Sequence, residues 1–117
     1  MPQFAYVVYS NPVAGREDEY NDWYTNQHLA DVTAVSGFVS AQRFRLLDVA
    51  AEGAPRQRYM AIYTMDTEDP LAAIARLTAL VEAGELAMSD AFSMEDMAIQ
   101  LYRAVSPVVE SAARGQS

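Results

Sequence analysis

Apolar residues fall along this chain in two rhythms, one with a period near two and one with a period near 3.6. Phe4 to Tyr9 reads FAYVVY, an aromatic and β-branched run that predicts a strand. The turn-forming stretch Ser10-Asn11-Pro12-Val13-Ala14-Gly15 ends it. Glu17, Asp18 and Glu19 then place negative charge in the first turn of a helix. That helix is expected to run to about Val35, with Gly37 as its C-terminal cap. Alternation from Phe38 to Leu47 and from Gln57 to Met65 predicts two further strands, joined by a loop over Asp48 to Arg56. Pro70 opens a second helix with a stripe of Ile74, Leu77, Thr78 and Val81, and Gly84 ends it. Glu85 to Glu95 reads as irregular or briefly helical, and Met97 to Val105 as a fourth strand.

The order βαββαβ is the ferredoxin-like α+β pattern: a four-stranded antiparallel sheet with two helices on one face. Residues 1–106 make one domain, and 107–117 form a C-terminal tail or exchange arm. The second sheet face is left bare. It carries large side chains in either register of the third strand, Tyr59 and Tyr63 or Met60 and Ile62. A second copy packed sheet to sheet would cover it, so a homodimer is expected.

The first helix is where polarity conflicts with burial. At about 100° per residue, Tyr20, Trp23, Tyr24, Ala30, Ala34 and Val35 share the inward face. Gln27 and Asp31 then fall in the middle of that face, and His28, the sole histidine, on its edge. Polar groups aimed at a core need partners. Two readings account for them. In one, the face lines a cleft in which His28 is a general acid/base, Asp31 its tuning partner and Tyr24 a hydrogen-bond donor. In the other, Asp31 caps a turn or pairs with an arginine, and His28 is a satisfied structural residue.

Composition removes several function classes. Formal net charge over the 117 residues is −8, without the basic footprint that nucleic acid or an anionic membrane requires. No cysteine is present, which excludes thiolate nucleophiles and thiolate metal ligands. One histidine makes a protein metal site unexpected, and no phosphate-cradling glycine loop occurs. No apolar run is long enough to span a bilayer, and the N-terminus lacks a signal pattern, so a cytoplasmic protein is expected.

The segment from Asn11 to Phe44 combines Asn11-Pro12, Gly15, Glu19-Tyr20-Asn21, Trp23-Tyr24, His28-Leu29, Asp31, Val35, Gly37-Phe38, Ala41 and Arg43-Phe44. It resembles the first-helix signature of EthD-like proteins, within the dimeric α/β-barrel superfamily. The resemblance implies a barrel closed by two sheets across a dimer, with a pocket between sheet and helices in each subunit. It places the motif histidine at His28, with Trp23 and Tyr24 beside it and Asp31 at the polar position after it. Haem-degrading members of the superfamily draw Asn, Trp and His from separate elements. Here Trp23 and His28 share one helix, so that set is not reproduced.

These readings converge on an enzyme without a cofactor: an isomerase, lyase or cyclase moving protons on a carbonyl-bearing or aromatic compound. His28, Asp31 and Tyr24 are its expected catalytic residues. Asn11, Trp23, Gln27, Arg43, Tyr59 and Tyr63 are the expected binding residues. A non-catalytic protein that holds a hydrophobic metabolite is the alternative, followed by a haem-binding protein with His28 as axial ligand. Arg43 and Arg45 share a face of the second strand. There they either hold a carboxylate or enolate or serve as ion-pair partners.

Overall fold

The computed structural model describes residues 3–47 and 56–112. Its elements are β1 (Gln3–Ser10), α1 (Glu17–Trp23), a π turn (Tyr24–His28), α2 (Leu29–Thr33), β2 (Phe38–Arg45), β3 (Tyr59–Asp66), α3 (Pro70–Glu82) and β4 (Ala98–Arg103). The strands form one antiparallel sheet in the order β2-β3-β1-β4. This is the expected ferredoxin-like topology, and its strand ends lie within about two residues of the expected ones. The loop from position 48 to 55 lies outside the described residues, as do residues 113–117 of the tail. Among the described residues no helix is long and apolar enough to cross a membrane.

Register decides which strand residues meet the helices. Tyr6 pairs with Tyr63, Val8 with Ala61 and Phe4 with Met65, and all six are buried. They form the core with Tyr20, Trp23, Tyr24, Val32, Val35, Ala73 and Leu77 from the helix layer. Tyr59 and Tyr63 therefore belong to the helix side. The opposite face carries Tyr9, Met60 and Ile62, with Phe44 and Tyr102 at 41% and 51% exposure.

The first helix is not one uniform α-helix. In its middle the Leu29 amide bonds to the Tyr24 carbonyl five residues back, in place of the α-helical four. The extra residue shifts every later inward position by one. His28 is buried where a regular helix would bury Gln27, Val32 takes the place of Asp31, and Val35 that of Ala34. The expected face is corrected accordingly: Gln27, Ala30 and Ala34 are exposed, Asp31 is half-buried, and His28 faces the core.

The helix layer is fixed at both ends by local chemistry. Gly37 adopts φ +103, and a Cβ there would come within 2.9 Å of the Ala73 Cβ, so only glycine lets β2 start this close to α3. Asp69 Oδ1 accepts the Ala72 amide at 3.0 Å and caps α3, with Pro70 in its first turn. The buried positions of α3 are Ala73 and Leu77. Ile74 and Val81 pack at their flanks, whereas Thr78 of the expected stripe is largely exposed.

After α3 the chain returns without regular structure over 83–97. It is tied down by the Val13 amide to the Ala91 carbonyl at 2.7 Å, the Ser93 amide to the Asn11 carbonyl at 3.0 Å, a bridge between Pro12 and Phe92, the Trp23 indole N–H to the Ala87 carbonyl at 2.9 Å, and Gln57 and Arg56 to Asp96. The crossing closes one side of the space between sheet and helices.

Candidate functional site

A cavity of about 240 Å³ lies between the sheet and the helix layer. Its polar end is built by Tyr6, Tyr24, His28 and Tyr63. Its apolar wall comes from Leu77 and Val81 of α3 and from Met88, Met94 and Met97 of the crossing segment. Among the described residues no charged side chain lines it.

The π turn is what brings His28 here. Five residues apart, the Trp23 and His28 rings stack with centroids 4.6 Å apart and planes at 25°. Tyr24 meets the imidazole edge-on at 5.3 Å and 78°. His28 is 8% exposed, and its Nδ1 is buried without a hydrogen-bond partner among the described residues. Burial pushes its pKa down from 6.5 to about 4, against a smaller upward pull from the Asp31 charge. Desolvation thus outweighs the carboxylate, and the imidazole is neutral at pH 7. Asp31 acts on it through its charge and not through a hydrogen bond to Nδ1.

The Tyr63 hydroxyl is also buried, and its polar neighbour is the Tyr24 hydroxyl. Burial pushes the Tyr24 phenol up to about 12, and it raises Tyr63 in the same direction, reinforced by the neighbouring Tyr24 hydroxyl. Both phenols are protonated at neutral pH, and the Tyr63 hydroxyl lies against that of Tyr24.

Behind Tyr24, on β2, stands Arg43. Its Nη1 donates to Thr25 Oγ1 at 2.7 Å and its Nη2 to Asn21 Oδ1 at 2.8 Å. Its Cζ lies 4.5 Å from the Tyr24 ring centroid, 5.1 Å from that of Tyr59 and 5.3 Å from that of Tyr20. Tyr59 is held in turn by the Asn21 amide at 3.2 Å and by a short hydrogen bond to Glu17, whose carboxyl is lowered chiefly by that bond.

The nine residues singled out in the sequence separate into groups. Tyr24, His28 and Tyr63 meet in the cavity. Trp23 stacks on His28, and Arg43 and Tyr59 stand behind Tyr24 in the aromatic layer. Asn11 joins the end of β1 to the chain entering β3, its Oδ1 accepting the Arg58 amide at 2.8 Å and its Nδ2 donating to the Arg56 carbonyl at 3.3 Å. Gln27 points to solvent, and Asp31 sits at the margin. The methionine wall was missed by sequence reasoning. Three of the six methionines line the cavity, and their clustering within Met88 to Met97 was the available signal.

No protein-family model matches the sequence, and no curated protein does. Solved structures match it across nearly its whole length. An EthD-like protein from Ralstonia eutropha is 20% identical over 97% of this chain and 100% of its own, with a TM-score of 0.58. An EthD family protein from Bacillus halodurans is 19% identical over 86% and 96%, with a TM-score of 0.56. MhuD, a haem degrader from Mycobacterium tuberculosis with two haems bound in its active site, is 15% identical over 91% and 99%, with a TM-score of 0.63. At these identities the likeness is one of fold, and the chain has the ferredoxin-like α+β architecture of EthD-like proteins.

Proposed function

We propose that the cavity binds a small apolar or aromatic compound bearing a carbonyl or hydroxyl oxygen, and that His28 moves a proton on it. The carrying observation is the buried, unpartnered His28 Nδ1, beside the phenols of Tyr24 and Tyr63 in an otherwise apolar cavity. An unmet buried group costs about 1–3 kcal/mol, a cost that a ligand able to pair with the imidazole removes. A volume of about 240 Å³ falls just below the usual range for ligand pockets and suits a single ring.

The chemistry follows from the protonation states. Neutral imidazole accepts a proton from a carbon beside the ligand's carbonyl. The C–H electron pair becomes part of a new C=C bond, and the carbonyl oxygen becomes an enolate that accepts a hydrogen bond from a tyrosine. Return of the proton at another carbon completes an isomerisation. Burial keeps His28 a weak base until negative charge develops beside it and raises its pKa.

Native mass spectrometry against one-ring phenols, aryl ketones and unsaturated lactones tests binding. Turnover of any ligand found, in wild type and His28→Ala, tests the chemistry. Binding retained with turnover abolished supports the enzyme. Turnover unchanged in His28→Ala overturns it and leaves a binding protein. Haem is the second reading, favoured by the unpartnered imidazole and the fold shared with MhuD. A Soret band that appears on haem titration and is lost in His28→Ala would establish it in place of the first.

The protein is proposed to work as a homodimer, sheet face to sheet face. The support is the pair of half-exposed aromatics, Phe44 and Tyr102, around Met60 and Ile62 on the bare face. Val108 and Val109 are 81% and 85% exposed on the tail, and Val105 just before it is 94% exposed, a composition suited to an arm laid on a partner.

A further inference from the structure

One arginine stands apart from the others. Arg16, Arg56 and Arg58 each pair with a carboxylate, those of Glu19, Asp96 and Glu17. Arg45, Arg76 and Arg103 are exposed to solvent. Arg43 is half-buried and pairs with no carboxylate among the described residues. Its guanidinium donates to the neutral oxygens of Thr25 and Asn21 and is bounded by the faces of Tyr20, Tyr24 and Tyr59. Its positive charge is therefore uncompensated at close range, against an aromatic box of low dielectric.

That charge does not line the cavity, but Tyr24 does. One aromatic ring separates the guanidinium from the ligand's side. A cation over a phenol ring draws electron density from it and makes the O–H a stronger donor. The fork on Asn21 and Thr25, one helical turn apart on the first helix, fixes the ring and the cation together. The carboxylates near the site act elsewhere: Asp31 on His28, and Glu17 on Tyr59 and Arg58. Burial dominates the Tyr24 phenol; the neighbouring Tyr63 hydroxyl and the Arg43 charge pull it down, and Tyr20 pushes it up.

We propose that Arg43 is a positioning residue that, through Tyr24, makes the cavity select an anionic ligand oxygen, a phenolate or an enolate, over the neutral form of the same compound. The proposal rests on the cavity being a ligand site and adds the class of oxygen it takes.

Phenol, 4-cyanophenol and 4-nitrophenol share a ring and differ in acidity, so they probe charge at nearly constant shape. Their dissociation constants are measured by calorimetry, and the ionisation of bound 4-nitrophenol is followed by its absorbance. Bound 4-nitrophenol should ionise at lower pH in the wild type than in Arg43→Met. Arg43→Met should weaken binding of 4-nitrophenolate about tenfold, the scale of a desolvated cation–π contribution, and leave neutral phenol within about twofold. Arg43→Lys keeps the charge without the fork and should retain part of the preference. It also guards against a folding defect in the methionine variant. Tyr24→Phe should lose the preference altogether. Equal binding of phenol and phenolate by the wild type, or a preference that survives in Arg43→Met, overturns this inference while leaving the cavity reading intact. Failure of the wild type to bind any phenol overturns both.

Discussion

Acidification should destabilise the fold through His28 before the carboxylates dominate. The native imidazole resists protonation until about pH 4, whereas in the unfolded chain it takes a proton near 6.5. Between those values the unfolded state binds more protons, so stability falls as pH falls. The contribution is fully present above pH 6.5, is lost progressively from 6.5 to about 4, and is gone below that. Each tenfold difference in proton affinity is worth about 1.4 kcal/mol, which makes the whole effect about 3 kcal/mol and its part down to pH 5 about 2 kcal/mol. Such a loss is a substantial share of a domain's stability. Urea unfolding of wild type and His28→Gln at pH 7.5, 6.5 and 5.0 isolates it, because the carboxylates titrate alike in both. The difference between the two proteins should shift by about 2 kcal/mol from pH 7.5 to 5.0, against the wild type. A pH-independent difference would refute the reasoning and mean that the imidazole is protonated or solvated in the native state.

Tyr63→Phe removes a buried hydroxyl that lies against Tyr24, so thermal melting should show stability within about 1 kcal/mol of wild type, while ligand affinity falls. Gly37→Ala meets both a left-handed backbone and the Ala73 methyl 2.9 Å away, and should cost more than about 1 kcal/mol by denaturant titration. Deleting the exposed Gln27 should convert the π turn to a regular α turn while keeping Tyr20, Trp23 and Tyr24 on one side and Val32 and Val35 on the other in register. Stability within about 1 kcal/mol of wild type is expected, and unfolding would refute the one-residue shift. Light scattering at micromolar concentration should give twice the monomer mass, and a monomer would remove the sheet-to-sheet dimer.

Strands and helix ends were legible because their signals are local. FAYVVY, the acidic first turn at Glu17 and the punctuation by Gly37, Pro70 and Gly84 each act within a few residues. The strand partners were also constrained, since a period of two leaves only two registers, and burial of Tyr59 and Tyr63 chooses between them. The site was only half legible, for a geometric reason. A constant step of about 100° carried past Tyr24 puts Gln27 and Asp31 inward, and these are the polar residues that made the helix look anomalous. The anomaly was real, and a change of backbone resolves it for Gln27. One additional residue in the turn lets Gln27 reach solvent and brings His28 against Trp23. The misfit in periodicity was thus the trace of the π turn itself. Arg43 escaped assignment as either substrate ligand or surface ion pair for a related reason. Its partners, Asn21 and Thr25, lie on the helix face beside the buried tyrosines, so the guanidinium is drawn under Tyr24 instead of into the cavity or out to a carboxylate. Position along β2 gave the side on which Arg43 lies. Only the packed aromatic layer determines what stands between its charge and the ligand.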